Sequence, residues 1–200
     1  MSRPTLITRM NLLHRFAIAA IAVLFLGTGL AQDSADREGY FEVRSATTQI
    51  VTGVHTLDAR LQLVLSSEAL AALDSGVTLT IELQLQLIRA RRFLIDSVDA
   101  ELAVRFELEY RPLSQRYIVK NLNSGDQDSF ATLYSALNSL GRVQGLPVID
   151  DELLLPDREY RLRVRAMLNT QQYPASLRLL FFWRGQWQLQ SEWFEWLLER

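Results

Sequence analysis

Residues 79–87 read LTIELQLQL, and this stretch decides the fold. Leu79, Ile81, Leu83, Leu85 and Leu87 share one parity, while Thr80, Glu82, Gln84 and Gln86 share the other. Successive side chains of a strand point to opposite faces, so this segment buries one side and wets the other. The alternation recurs on both flanks. Leu57, Ala59, Leu61, Leu63 and Leu65 oppose Asp58, Arg60 and Gln62; Leu102, Val104, Phe106, Leu108 and Tyr110 oppose Glu101, Arg105, Glu107 and Glu109. Farther along, Tyr160, Leu162, Val164, Ala166 and Leu168 alternate with Arg161, Arg163 and Arg165. One-sided alternation belongs to antiparallel sheets, and several apolar faces of this kind must cover one another. The expected fold is therefore mainly β: an antiparallel β-sandwich, immunoglobulin-like or related, with two short connecting helices.

Those helices announce themselves by breaking the period of two. Residues 66–75 (SSEALAALDS) begin with serines, carry Glu68 in the first turn and end before Gly76, the start and stop marks of a short helix. Phe130, Leu133, Tyr134, Leu137 and Leu140 follow helical spacing between a Ser129 cap and Gly141. Residues 143–155 contain a short strand that Pro147 confines to an edge or bulge. Residues 173–183 (YPASLRLLFFW) suit a helix opened by Pro174 or a buried strand equally. In the final strand Trp187, Leu189, Ser191 and Trp193 face one way, and Trp196, out of phase, is expected to be the exposed tryptophan.

The N-terminus has the layout of a secretory signal peptide. Arg3, Arg9 and Arg15 precede an apolar run over residues 16–26, and small residues lead to a cut between Ala31 and Gln32. The run is short for a membrane span, so cleavage and a periplasmic product are expected; the alternative is an inner-membrane anchor formed by residues 12–30. The domain reading is then a leader over 1–31, a flexible lead-in over 32–39 (QDSADREG) and one sandwich over 40–200.

Composition narrows the chemistry. With the three leader arginines removed from 21 Lys+Arg, 18 basic residues face 23 acidic ones, a net charge of −5 that does not favour nucleic acid. Cysteine is absent, which excludes thiol nucleophiles, disulfides and thiolate zinc sites. Outside the leader His55 is the sole histidine, too few for a multi-histidine metal centre, and it has no visible nucleophile or orienting acid. No catalytic residue, metal ligand or cofactor is assigned. Lys120 is the only lysine, a bias that fits codon usage or a preference for bidentate anion contacts.

Two basic groups are candidates for contact with a partner or an anion. Arg161, Arg163 and Arg165, extended by Arg158, place guanidinium groups about 7 Å apart on one strand face. They either grip an anionic head group or acidic partner, or pair with the carboxylate face of Glu101, Glu107 and Glu109 on a neighbouring strand. Arg89, Arg91 and Arg92, followed by Phe93, Leu94 and Ile95, form the second group. Either they present an apolar, arginine-rimmed surface, or they make a hairpin tip whose apolar groups fold back over the sheet end. Asn121, Asn123, Asp126 and Asp128 around Gly125 depart from the calcium-loop order and read as a polar turn. Asp150, Asp151 and Glu152 read as a solvated loop or an acid–base group.

A family resemblance runs through residues 40–51 (YFEVRSATTQIV), 68–92 (EALAALDSGVTLTIELQLQLIRARR), 113–125 (LSQRYIVKNLNSG), 129–141 (SFATLYSALNSLG) and 191–198 (SEWFEWLL). In that order they resemble a family of exported proteobacterial proteins grouped as a domain of unknown function, DUF4390. The family is often richer in tryptophan after the third strand, where this chain has Phe93, Leu94 and Ile95, so no shared ligand-stacking role carries over. The resemblance implies a single periplasmic domain, often encoded near a membrane sensor kinase of the nitrogen-regulation type, and it brings no catalytic residues. The expected function is a non-enzymatic binding or accessory domain, with the periplasmic region of a sensor kinase or another envelope component as partner. The alternative is a carrier of a lipid or small anion that combines a pocket between the sheets with the Arg161 stripe.

Overall fold

In the computed structural model, which describes residues 37–91, 95–169 and 189–199, the alternating runs become strands. In chain order they are β1 (Tyr40–Val51), β2 (Val54–Val64), β3 (Leu79–Arg89), β4 (Ser97–Arg111), β5 (Arg116–Asn121), β6 (Gln127–Phe130), β7 (Arg142–Asp150), β8 (Tyr160–Asn169) and β9 (Phe194–Leu197). Helix α1 (Ser67–Asp74) joins β2 to β3, α2 (Leu133–Leu140) joins β6 to β7, and a 3-10 turn (Asp151–Leu153) follows β7. The pairing is antiparallel throughout, with one sheet in the order β1-β2-β7 and the other in the order β6-β5-β4-β3-β8-β9. The protein is thus mainly β, two antiparallel sheets arranged as a sandwich with two short helical connectors.

The strand read first lies near the middle of the larger sheet. Leu83 stands opposite Val104 on one side and Ala166 on the other, so the odd face of β3 is hemmed in by apolar neighbours. That face meets Phe41, Val43, Leu57 and Leu63 of the smaller sheet in one core, which also takes in Leu108, Val164 and Leu168. Fully burying a leucine side chain contributes about 1.5–3 kcal/mol, and Leu57, Leu79, Leu85 and Leu108 are all in that condition. A smaller cluster of Leu87, Leu154, Tyr160, Leu162 and Leu198 seals the end where β3 finishes.

Local chemistry moves several boundaries. The cap of α2 is Thr132, whose side chain accepts from the Ser135 N–H, because Ser129 is held in β6 against Ile118. Ser66 caps α1 through the Ala69 N–H as its sequence implies. Pro147 lies on β7, which pairs with β2 alone and shifts register beside it. A bulge between Val43 and Ser45 moves the inward parity of β1 from Phe41 and Val43 to Ala46. Past that bulge Thr48 accepts from the Trp196 indole N–H at 3.3 Å, and Trp196 is half-buried rather than exposed, since β1 and β9 close this side of the sandwich.

The end of the expected flexible lead-in is likewise docked. The Arg37 N–H donates to Ser67 Oγ at 2.8 Å, and the Ser67 N–H donates to the Arg37 carbonyl at 3.1 Å. A Cβ on Gly39 would lie 2.3 Å from the Ser66 nitrogen, a contact only glycine allows. Opposite the β1–β9 side, α2 lies over β2 and β5, and the sheets part there to leave a cleft. The expected leader over residues 1–31 and the ambiguous run over 173–183 lie outside the described residues.

Candidate functional site

The arginine stripe stands on the outer face of β8, because Tyr160, Leu162, Val164, Ala166 and Leu168 take the inner one. Direct pairing with the β4 carboxylates does not occur, since β3 lies between β8 and β4. Instead the outer row of β3 relays between them. Arg163 Nε donates to Gln86 Oε1 at 2.7 Å, and Gln86 Nε2 donates to Glu101 Oε1 at 2.5 Å. Arg165 Nε donates to Gln84 Oε1 at 2.8 Å, and Gln84 Nε2 donates to Glu82 Oε1 at 2.6 Å. A glutamine amide accepts at one end and donates at the other, which suits it to join a cation to an anion across a strand.

Glu82 is the centre of this face. It is buried although its parity is outward, and its carboxylate also accepts from Arg105 Nε and Asn169 Nδ2, both at 2.9 Å. Burial alone raises a carboxyl pKa; the hydrogen bonds from Gln84, Arg105 and Asn169 and the Arg105 charge outweigh it and hold Glu82 below the usual range. A polar groove of about 540 Å³ runs along this network between Glu101, Arg105 and Arg165. Arg163 and Arg165 also lie over the Trp193 ring, 4.5 and 4.3 Å from its centroid. Arg161 is tied to Asp96 and, at 2.7 Å, to Glu195. Arg161, Arg163 and Arg165 are thus each engaged within the fold.

The second basic group lies at one end of the sandwich, where β3 and β7 finish and β4 and β8 begin. Arg89 pairs with Asp99 at 2.9 Å. The exposed Arg91 donates its backbone N–H to Asp96 Oδ1 at 3.1 Å, and its side chain makes no ion pair among the described residues. Arg92, Phe93 and Leu94 lie outside the described residues. The same end of the sandwich carries exposed apolar side chains: Ile95 is 92% exposed and Leu153 70%, with Val98 and Leu155 also exposed. A groove of about 530 Å³ among Leu87, Val98, Ile149, Leu154 and Tyr160 opens at this pole. Sequence reasoning reached the hairpin of this pole but not Leu153 and Leu155, which belong to a loop far along the chain.

His55 does have an acidic partner. Its Nε2 lies 2.9 Å from Asp151 Oδ1, and the Asp151 N–H donates to the Gly53 carbonyl at 2.8 Å. The imidazole is fully buried and its Nδ1 has no hydrogen-bond partner. This pair fastens the 3-10 turn to the start of β2. The turn over residues 121–126 is held from within and against β4: Asn121 Oδ1 accepts from the Asn123 N–H at 2.8 Å, Ser124 Oγ donates to Asp126 Oδ2 at 2.6 Å, and the Asn123 side-chain amide accepts from the Arg105 N–H and donates to the Ala103 carbonyl.

On the open side of the sandwich the cleft between the sheets has a volume of about 560 Å³. Its floor is core: Leu83, Val104, Val119 and Leu140 are buried, and Phe106 and Leu146 are half-buried walls. Exposed Asp126 and Asp128 border its mouth. The arginine stripe occupies the opposite face of the larger sheet, so stripe and cleft are not parts of one site. The lining comes from β3, β4, β5, β7 and α2, and no local motif marks it. Among the described residues, no group of three or more His, Asp or Glu side chains could hold a metal ion, and no helix is long and apolar enough to cross a membrane.

Comparison with curated proteins gives no match, and comparison with solved structures gives none. The family model for a domain of unknown function, DUF4390, matches residues 39–197, from the glycine packed on α1 to the last residue of β9, and the chain belongs to that family.

Proposed function

We propose that this chain is an exported, non-enzymatic binding or accessory domain that engages an envelope protein through the pole around Arg91. The observation that carries the reading is the grouping of exposed Val98, Leu153 and Leu155 about one groove, with exposed Ile95 and an arginine without an ion-pair partner among the described residues on the hairpin at the same end. Scattered exposed leucines are ordinary, whereas a contiguous apolar patch with arginine at its edge is the composition of a protein contact. Gene neighbourhood in the family suggests the periplasmic region of a membrane sensor kinase as partner. The test is recovery of crosslinked partners from the cell envelope with the wild-type chain and with Val98→Glu combined with Leu155→Glu. Both side chains are exposed, so the variant keeps its fold. Recovery of one protein that falls by about tenfold or more in the variant supports the reading; no partner, or equal recovery, overturns it.

A further inference from the structure

We infer that the cleft on the open side of the sandwich is a binding site for a small amphiphilic cation: an apolar chain inserted between the sheets, with an ammonium-type head at the mouth. The inference concerns a different surface from the pole, and either can fail without the other. The cleft, at about 560 Å³, lies within the roughly 300–1,000 Å³ of small-molecule sites. Its floor of Leu83, Val104, Val119 and Leu140 is apolar and suits an alkyl chain, while Asn121, Ser139 and Gln144 add polar groups to the rest of the lining.

Register settles the sign of the head group. Asp128 stands opposite Val119, a floor residue, and therefore shares the face of the larger sheet that looks into the cleft. Its side chain has no hydrogen-bond or ion-pair partner among the described residues, and the carboxylate of Asp126 beside it accepts from Ser124 Oγ, while the Asp126 carbonyl accepts from the Asn121 N–H. One cation stands at the rim and another on the outer face. Arg142 borders the cleft but pairs opposite Arg60, whose face is the solvent side of the smaller sheet. Lys120 has the parity opposite to Val119 on β5 and points to the outer face. The mouth thus sets the carboxylates of Asp126 and Asp128 against the one rim guanidinium of Arg142, a negative balance that favours a cation over the anion expected for a pocket joined to the arginine stripe.

The test uses three probes with one dodecyl chain, each below its micelle concentration: dodecyltrimethylammonium, laurate and dodecyl maltoside. Saturable binding by titration calorimetry is expected for the cation, tighter than for laurate by about tenfold or more, with the maltoside between them. Asp128→Asn with Asp126→Asn, both at exposed positions, removes the preference for the cation while leaving maltoside binding unchanged. Leu146→Trp fills the cleft from its wall and weakens all three probes. The inference is overturned if no probe saturates, if laurate binds as tightly as the cation, or if the double asparagine variant keeps the wild-type preference. Should Leu146→Trp fail to fold, the charge variants alone still decide the matter.

Discussion

Glu82 shows how one residue inverts the usual rule for its position. Its parity points away from the core, yet it is buried and accepts three hydrogen bonds, from Gln84, Arg105 and Asn169, with the Arg105 charge beside it. Because those contacts favour the carboxylate, the folded state releases its proton more readily than the unfolded chain does. Stability from Glu82 is therefore complete above the ordinary carboxylate range and is lost as pH falls through that range toward the lower native value. Glu82→Gln is expected to cost about 1–3 kcal/mol at neutral pH. The difference from wild type should shrink between about pH 6 and pH 3. Urea denaturation of both proteins across that interval checks it; parallel stability profiles would refute the assignment. The sequence marked Glu82 only as one polar tooth in an alternating strand. Its burial depends on Arg105 and Asn169, which are brought beside it by strands 23 and 87 positions away.

At the scale of elements, α2 shows how closely the helices are set on the sheets. A Cβ on Gly141 would sit 2.4 Å from the Leu61 carbonyl oxygen, whose own residue donates its N–H to the Gly141 carbonyl at 2.8 Å. Gly141→Ala must lift the end of α2 from β2 and is expected to cost about 1–3 kcal/mol, read as a lower midpoint in denaturant; an unchanged midpoint would mean the contact yields freely. The strands themselves were legible, since side-chain parity is local and β3, β4 and β8 each advertise an inner face. Their order was not, because alternation is blind to which neighbour a strand chooses. Placing β3 between β4 and β8 turned an anticipated arginine–carboxylate ladder into a relay through Gln84 and Gln86. The start of α2 was misplaced for a similar reason: Phe130 fits helical spacing, but β5 offers residues 127–130 ladder hydrogen bonds first. The docking of Arg37 on α1 and the grouping at the pole required contacts between segments far apart in the chain.

For the whole molecule, the two sides of the sandwich differ. Where β1 meets β9 the layers are joined by Trp196 and Thr48, and on the other side they part. The floor of that opening is the interior itself, since Leu83 and Val104 belong at once to the cleft and to the main core. Occupancy and folding are thereby one linked equilibrium: a molecule seated there has no site on the unfolded chain. Dodecyltrimethylammonium at a hundred times its dissociation constant should add about 2.7 kcal/mol to unfolding and raise the melting temperature accordingly. An unmoved or lowered transition would contradict this. Heat resistance then becomes a gauge of cleft occupancy, and protein purified natively from its own cells should melt higher than the same chain refolded without its native contents.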